Sequence, residues 1–130
     1  MQDIHNKSDI ISFVDGFYGD IRKDELIGPI FASRIADDQW PQHLDKMYRF
    51  WNTVLFGAAE YRGNPFSHHL GLGIEKVHFD RWISLFYHNI EENFKGDKAD
   101  EVKERALKMR TLFESKLEYI KANPGIRPIM

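Results

Sequence analysis

Cysteine does not occur anywhere in the 130 residues of this chain. Its absence removes disulfides, cysteine-based zinc sites, iron–sulfur clusters, thiolate-ligated haem and covalently attached haem in one step. Any metal must therefore be held by nitrogen or oxygen. An excess of one charge is lacking too: 18 Lys and Arg stand against 20 Asp and Glu, for a formal net charge of -2 and a pI near 6.3. That leaves no basic footprint for nucleic acid. No apolar segment of the secretory kind opens the chain, and no apolar run approaches the roughly 18 residues of a membrane span. The expectation is one cytoplasmic domain over residues 1–130, with 1–7 and 124–130 as flexible ends and neither nucleic acid nor membrane as partner.

Strand-type alternation is also missing, and the apolar residues recur with helical period instead. Ile10, Phe13, Val14, Phe17, Tyr18 and Ile21 form one stripe behind a Ser8 cap. Gly28-Pro29 breaks the pattern, leaving Ile30 and Phe31 as buried candidates. Asp37-Asp38 can cap a helix that has Pro41 in its first turn and Trp40, Leu44, Met47, Trp51, Val54 and Leu55 on its inner face. Phe79, Trp82, Ile83, Phe86, Ile90 and Phe94 mark a further amphipathic helix. Val102, Ala106, Met109, Phe113, Leu117 and Ile120 mark a last long one, laced with Lys and Glu outside and stopped by Asn123-Pro124-Gly125. The fold class is all-α.

What is plentiful is aromatic: ten Phe, and 14% aromatic residues in all. Asn64 and Pro65 read as a helix cap and first turn, and Gly71 and Gly73 end that helix soon after. On so short a helix Phe66, His69 and Leu70 share one face, with His68 turned away by about 100°. One imidazole thus sits on an apolar face, where an axial ligand to iron would sit. An ordinary core histidine has the same spacing. Upstream and downstream lie three donors on inner stripes: the Tyr18 phenol, the His43 imidazole and the Trp82 indole. Donors turned into an aromatic pocket are costly if left unpaired. O2 on ferrous haem, with its superoxide-like negative charge, would pair with them.

These pieces together resemble group III of the truncated haemoglobins. The residues that carry the resemblance are Phe17-Tyr18, Gly28-Pro29-Ile30-Phe31, Trp40 with His43, Phe50-Trp51, Tyr61 with Gly63 and Pro65, His69-Leu70, and Trp82 with Leu85-Phe86. No adjacent glycine pair is present, which is itself typical of that group. The resemblance implies a two-on-two helical sandwich holding b-type haem. It implies His69 as proximal ligand to the iron, Tyr18 and Trp82 as distal donors, and His43 as a distal or gating residue. It implies a cofactor-binding set of His69, Phe31, Met47, Phe50, Trp51, Tyr61, Phe66, Leu70, Trp82 and Phe86. Lys46, Arg49, Arg62 and His68 stand as alternatives for pairing with the haem propionates. The partners implied are diatomic gases (O2, NO and CO) and an external reductase, for a monomer or weak dimer. The chemistry implied is on O2, NO or peroxide, of dioxygenase or peroxidase type, rather than bulk O2 delivery.

Two readings of other classes stand beside this one. Glu75-x-x-His78 fits the carboxylate–histidine motif of di-iron bundles, but such bundles need it twice and no second copy occurs. A helical interaction module without a cofactor would share the same stripes. Among the remaining histidines, His78 is expected at the edge of its helix, and His5 and His88 in solvent.

Overall fold

The structure, a computed structural model, describes residues 1–59 and 74–122, the Ile120 side chain excepted. Among them the order is α1 (Lys7–Lys23), α2 (Gly28–Arg34), a 3-10 turn (Asp37–Gln39), α3 (Trp40–Phe56), α4 (Lys76–Asn93) and α5 (Asp97–Ala122). No strand occurs among the described residues. One layer is α1 with α3, the other α4 with α5, and α1 lies across α4 to join them.

The stripe on α1 is the centre of the fold, since Ile10, Phe13, Val14, Phe17, Tyr18 and Ile21 are all buried. Phe13 meets Trp51, Phe86 and Phe94 edge-on, at centroid separations of 5.9, 6.0 and 6.4 Å. Such pairs add roughly 0.5–1.5 kcal/mol each beyond their area burial. A smaller cluster of Ile74, Phe79, Phe113 and Leu117 joins the start of α4 to the later turns of α5, with Met109 touching both clusters.

Four local expectations need correction. The cap of α1 is Asn6, whose side chain accepts from the Asp9 N–H at 3.1 Å, and Ser8 lies inside the helix. Gly28-Pro29 starts a helix rather than only breaking one, because Pro29 fits the first turn, where no intrahelical N–H is required. Gly28 allows the close approach: a Cβ there would lie 2.9 Å from the Ile21 carbonyl oxygen. Asp37 and Asp38 form the 3-10 turn instead of capping α3, and Gln39 Oε1 accepts from the Ala36 N–H at 3.3 Å. The fourth concerns the loose end over residues 1–7. Ile4 is 1% exposed, and the Asp3 carboxylate accepts from the N–H groups of Lys98 and Ala99 at 2.9 and 2.8 Å. Asp3 thereby caps α5, giving two of its first-turn donors a partner that the helix itself cannot supply. Burial alone would raise the Asp3 pKa, but the N–H groups of Lys98, Ile4 and Ala99 outweigh it and hold the carboxyl below its usual value.

Candidate functional site

Tyr18 and Phe17 share the inner stripe of α1, and both point to where α2, α3 and α4 converge. The Tyr18 ring is 8% exposed. It lies edge-to-face with Phe31 of α2 at 6.2 Å, Trp40 at 5.8 Å and His43 at 5.1 Å. Trp40 and His43 belong to the first turn of α3, with Pro41 between them, and their rings meet at 5.6 Å and 89°. The His43 ring is half-buried against these two aromatics. Outside them, the Arg22 guanidinium lies over the Trp40 indole at 4.7 Å and reaches Asp37 Oδ1 at 3.5 Å.

Beside this cluster runs a narrow apolar cleft with a cavity volume of about 20 Å³, partly open to solvent. Ile27, Ile30 and Phe31 line one side, Ile74, His78, Phe79 and Trp82 another, and Phe113 of α5 a third. Phe31 and Trp82 therefore face a shared space, and Phe31 also touches Tyr18. Trp82 is half-buried, stacked on Phe86 at 5.7 Å and 20° and edge-on to Phe17 at 5.5 Å. The indole is thus fixed on two sides while the cleft lies on a third.

Of the other residues singled out, Met47, Phe50, Trp51 and Phe86 belong to the main core next to the cleft and do not line it. Met47, Trp51 and Phe86 are buried, and Phe50 packs on Trp51 at 5.2 Å. Tyr61, Phe66, His69 and Leu70 lie outside the described residues, as do Arg62 and His68. Lys46 and Arg49 are exposed on α3, with Arg49 paired to Asp45 at 3.0 Å.

The cleft also shows residues that sequence reasoning placed on stripes without giving them a role at a site. Phe79 and Phe113 carried a helical signal, but nothing in the spacing says that the two stripes part to leave a gap. His78 takes a different part from the metal ligand that its motif suggests. Its Nδ1 accepts from the Glu75 N–H at 2.9 Å, so the imidazole caps α4. Among the described residues no three His, Asp or Glu converge as a metal site. His88 is exposed and lies 3.9 Å from Glu92, and the backbone N–H of His5 donates to Asp9 at 2.8 Å. Elsewhere on α3, Tyr48 donates its hydroxyl to Asp15 of α1. Burial, this hydrogen bond and the charges of Asp15 and Asp45 push the phenol well above its ordinary range.

Comparison with known proteins follows the same lines. Residues 2–118 match the family model described as "Bacterial-like globin". The chain is 30% identical over 115 residues to the group 3 truncated hemoglobin ctb of Campylobacter jejuni, a match spanning 86% of this chain and 91% of that protein. It also superposes on the crystal structure of a group III truncated hemoglobin from Campylobacter jejuni with a TM-score of 0.80 and 28% identity, covering 88% of this chain and 94% of the other.

Proposed function

The chain belongs to the bacterial-like globin family, and from that premise we propose that it holds b-type haem through His69 and binds diatomic gases beneath Tyr18, His43 and Trp82. The observation that carries the proposal is that Phe31 and Trp82 line one apolar cleft, with Tyr18 packed on Phe31 and His43 on Tyr18.

The residues present fit such a group. The described walls are Ile and Phe side chains with Trp82 and His78, largely apolar as a flat macrocycle requires, and no carboxylate lines them. Without cysteine the haem is non-covalent, and a histidine nitrogen is the ligand proposed. His69 is the ligand proposed, because the sequence spacing of Phe66, His69 and Leu70 is that of one face of a helix; Tyr61, Phe66 and Leu70 complete the proposed binding set.

When bound, haem supplies the iron that takes up O2, NO or CO. The protein's part is electrostatic. Tyr18 O–H, Trp82 N–H and the His43 imidazole are donors set among apolar rings, where a partial negative charge on a polar guest is stabilised more than in water. Rigid packing helps: Phe17 and Phe86 fix the Trp82 ring, so the donor does not have to reorient to meet a guest. Strong donation slows release, which suits redox chemistry on O2, NO or peroxide, with electrons from an external reductase, better than bulk delivery. We place this activity in the cytoplasm, in a monomer or weak dimer; among the described residues no helix is long and apolar enough to cross a membrane.

The test is to load the purified protein with haem and compare His69→Ala with His68→Ala. The proposal expects about one acid-acetone-extractable haem per chain. It also expects loss of the proximal bond in His69→Ala alone, recovered in part by added imidazole. Loss in His68→Ala with His69→Ala intact would move the ligand by one residue, and no Soret band in the wild type would end the haem reading.

A further inference from the structure

Trp40 is 3% exposed, yet it starts α3 and no side chain caps that end of the helix. The indole packs into the main core, and a cation lies over its ring as well. Arg22 stands four residues after Tyr18, one helical turn further on, so both residues are on the same face of α1. From there its guanidinium covers the Trp40 ring at 4.7 Å, while Trp40 meets His43 edge-on at 5.6 Å and Tyr18 at 5.8 Å. We propose that Arg22 is a positioning residue for the candidate site: by holding Trp40 down, it keeps the His43 imidazole packed against Tyr18. The proposal rests on the haem reading above for the use to which His43 is put.

Two features favour the stack over the neighbouring ion pair as the cause. Asp37 has 98% of its side-chain surface exposed and lies 3.5 Å from Arg22, a geometry in which solvent screens most of the attraction. The guanidinium, by contrast, is planar and weakly hydrated, and it stacks on an aromatic face without losing its contact with water. The link also joins separate elements. It ties the last turn of α1 to the first turn of α3, one turn away from His43. The imidazole has Tyr18 and Trp40 as ring neighbours among the described residues, so movement of the indole takes away an aromatic wall.

The experiment is NMR on the haem-loaded, CO-bound ferrous protein, which is diamagnetic, reading the ring-current shift of the His43 Cε1 proton and its contacts to Trp40 and Tyr18. Arg22→Gln keeps a polar side chain of similar helix propensity while removing the charge and the stacking guanidinium. It should lower the population of the packed His43 state by about two- to fivefold, the size expected of an exposed cation–π contact. Arg22→Lys, which keeps the charge but not the planar stack, should restore the wild-type pattern only in part, and Asp37→Asn should leave it unchanged. Equal changes in Asp37→Asn and Arg22→Gln would make the ion pair the cause and overturn the proposal. Unchanged His43 resonances in Arg22→Gln would overturn it as well. Absence of a Soret band in the wild type would instead overturn the haem reading, and with it the role given to His43.

Discussion

Tyr18 offers the cleanest single-atom question in the molecule, because Tyr18→Phe deletes a hydroxyl and leaves the ring that packs on Phe17, Phe31, Trp40 and His43. If this hydroxyl donates to the guest, its removal should raise the O2 dissociation rate about ten- to hundredfold. That range corresponds to roughly 1.5–3 kcal/mol for a charge-assisted hydrogen bond. CO, a far less polar ligand, should respond less. Trp82→Phe should act in the same direction, but it also opens space beside Phe17 and Phe86, so its effect mixes lost donation with altered access. Stopped-flow O2 release from the wild type, both single mutants and the double mutant separates these terms. A combined effect smaller than the sum marks two donors that act together on one guest, and one larger than the sum marks donors that compensate for each other. Equal rates in all four would remove both side chains from the site.

A second residue-scale test concerns the crossing of α1 and α4. A Cβ on Gly16 would lie 2.7 Å from Asn89 Nδ2 and 2.9 Å from its Oδ1, and Asn89 is only 7% exposed. The amide donates to Asp20 at 3.4 Å, so it is not free to swing aside without giving up that contact. Gly16→Ala should therefore destabilise the fold by about 1–3 kcal/mol, the usual cost of overpacking. Adding Asn89→Ala should recover part of the loss, because the obstructing atoms are gone. Chemical denaturation of the four proteins in that cycle gives the coupling directly, and additive losses would show that the side chain yields.

Among the elements, the attachment of the N-terminal segment to α5 is the least expected. Gly96 precedes α5 with φ +143°, and a Cβ there would lie 2.5 Å from Asp3 Cγ, so the carboxylate approaches closely only because the residue is glycine. Asp3→Ala should cost about 0.5–2 kcal/mol, as other lost caps do. The dependence on pH has a definite sign. The folded Asp3 carboxyl is held below its ordinary pKa, so its contribution is complete above the unfolded value of about 3.9 and is lost as pH falls through the lower folded value. The stability gap between wild type and Asp3→Asn should be steady near neutrality and close in acid. A gap that stays constant down to pH 2 would rule out the carboxylate as its source.

This cap also shows where the sequence stopped being legible. The stripe of α1 was readable to the residue and those of α3, α4 and α5 in large part, because burial repeats every three to four positions and leaves a pattern, though the buried Asn52, Asn89 and Ala99 were not part of it. Asp3 and Lys98 are 95 residues apart, and a single acidic residue before a helix carries no record of the helix it will cap. Ser8 and Asn6 are both good capping residues two positions apart, and propensity alone does not choose between them. The site divides in the same way. Phe31, Trp82, Tyr18 and His43 stood out as aromatics and donors on inner faces. Ile27, Phe79 and Phe113 line the cleft because helices diverge there, which is a tertiary fact. Arg22 looked like any surface cation until the fold laid Trp40 beneath it.

For the molecule as a whole, the cleft should make stability depend on its occupant. The described walls come from α2, α4, α5 and the residues leading into α2 and α4, so a ligand seated there joins elements far apart in the chain. Only the folded chain brings these surfaces together, and a ligand confined to the folded state stabilises it by mass action. At a free concentration a hundred times the dissociation constant the gain is about 2.7 kcal/mol. In a domain of this size that amounts to a rise of about 10 °C in the unfolding midpoint. Scanning calorimetry should show that rise with haem. Iron-free protoporphyrin should give a smaller one, because it fills the same apolar volume without a bond to histidine. In His69→Ala the haem and porphyrin shifts should become equal, since the variant removes the iron bond and leaves the Ile and Phe walls untouched. If haem and the iron-free porphyrin already shift the wild type equally, apolar burial alone holds the group and the axial role given to His69 fails. If neither shifts it, the cleft is not the seat of a porphyrin at all.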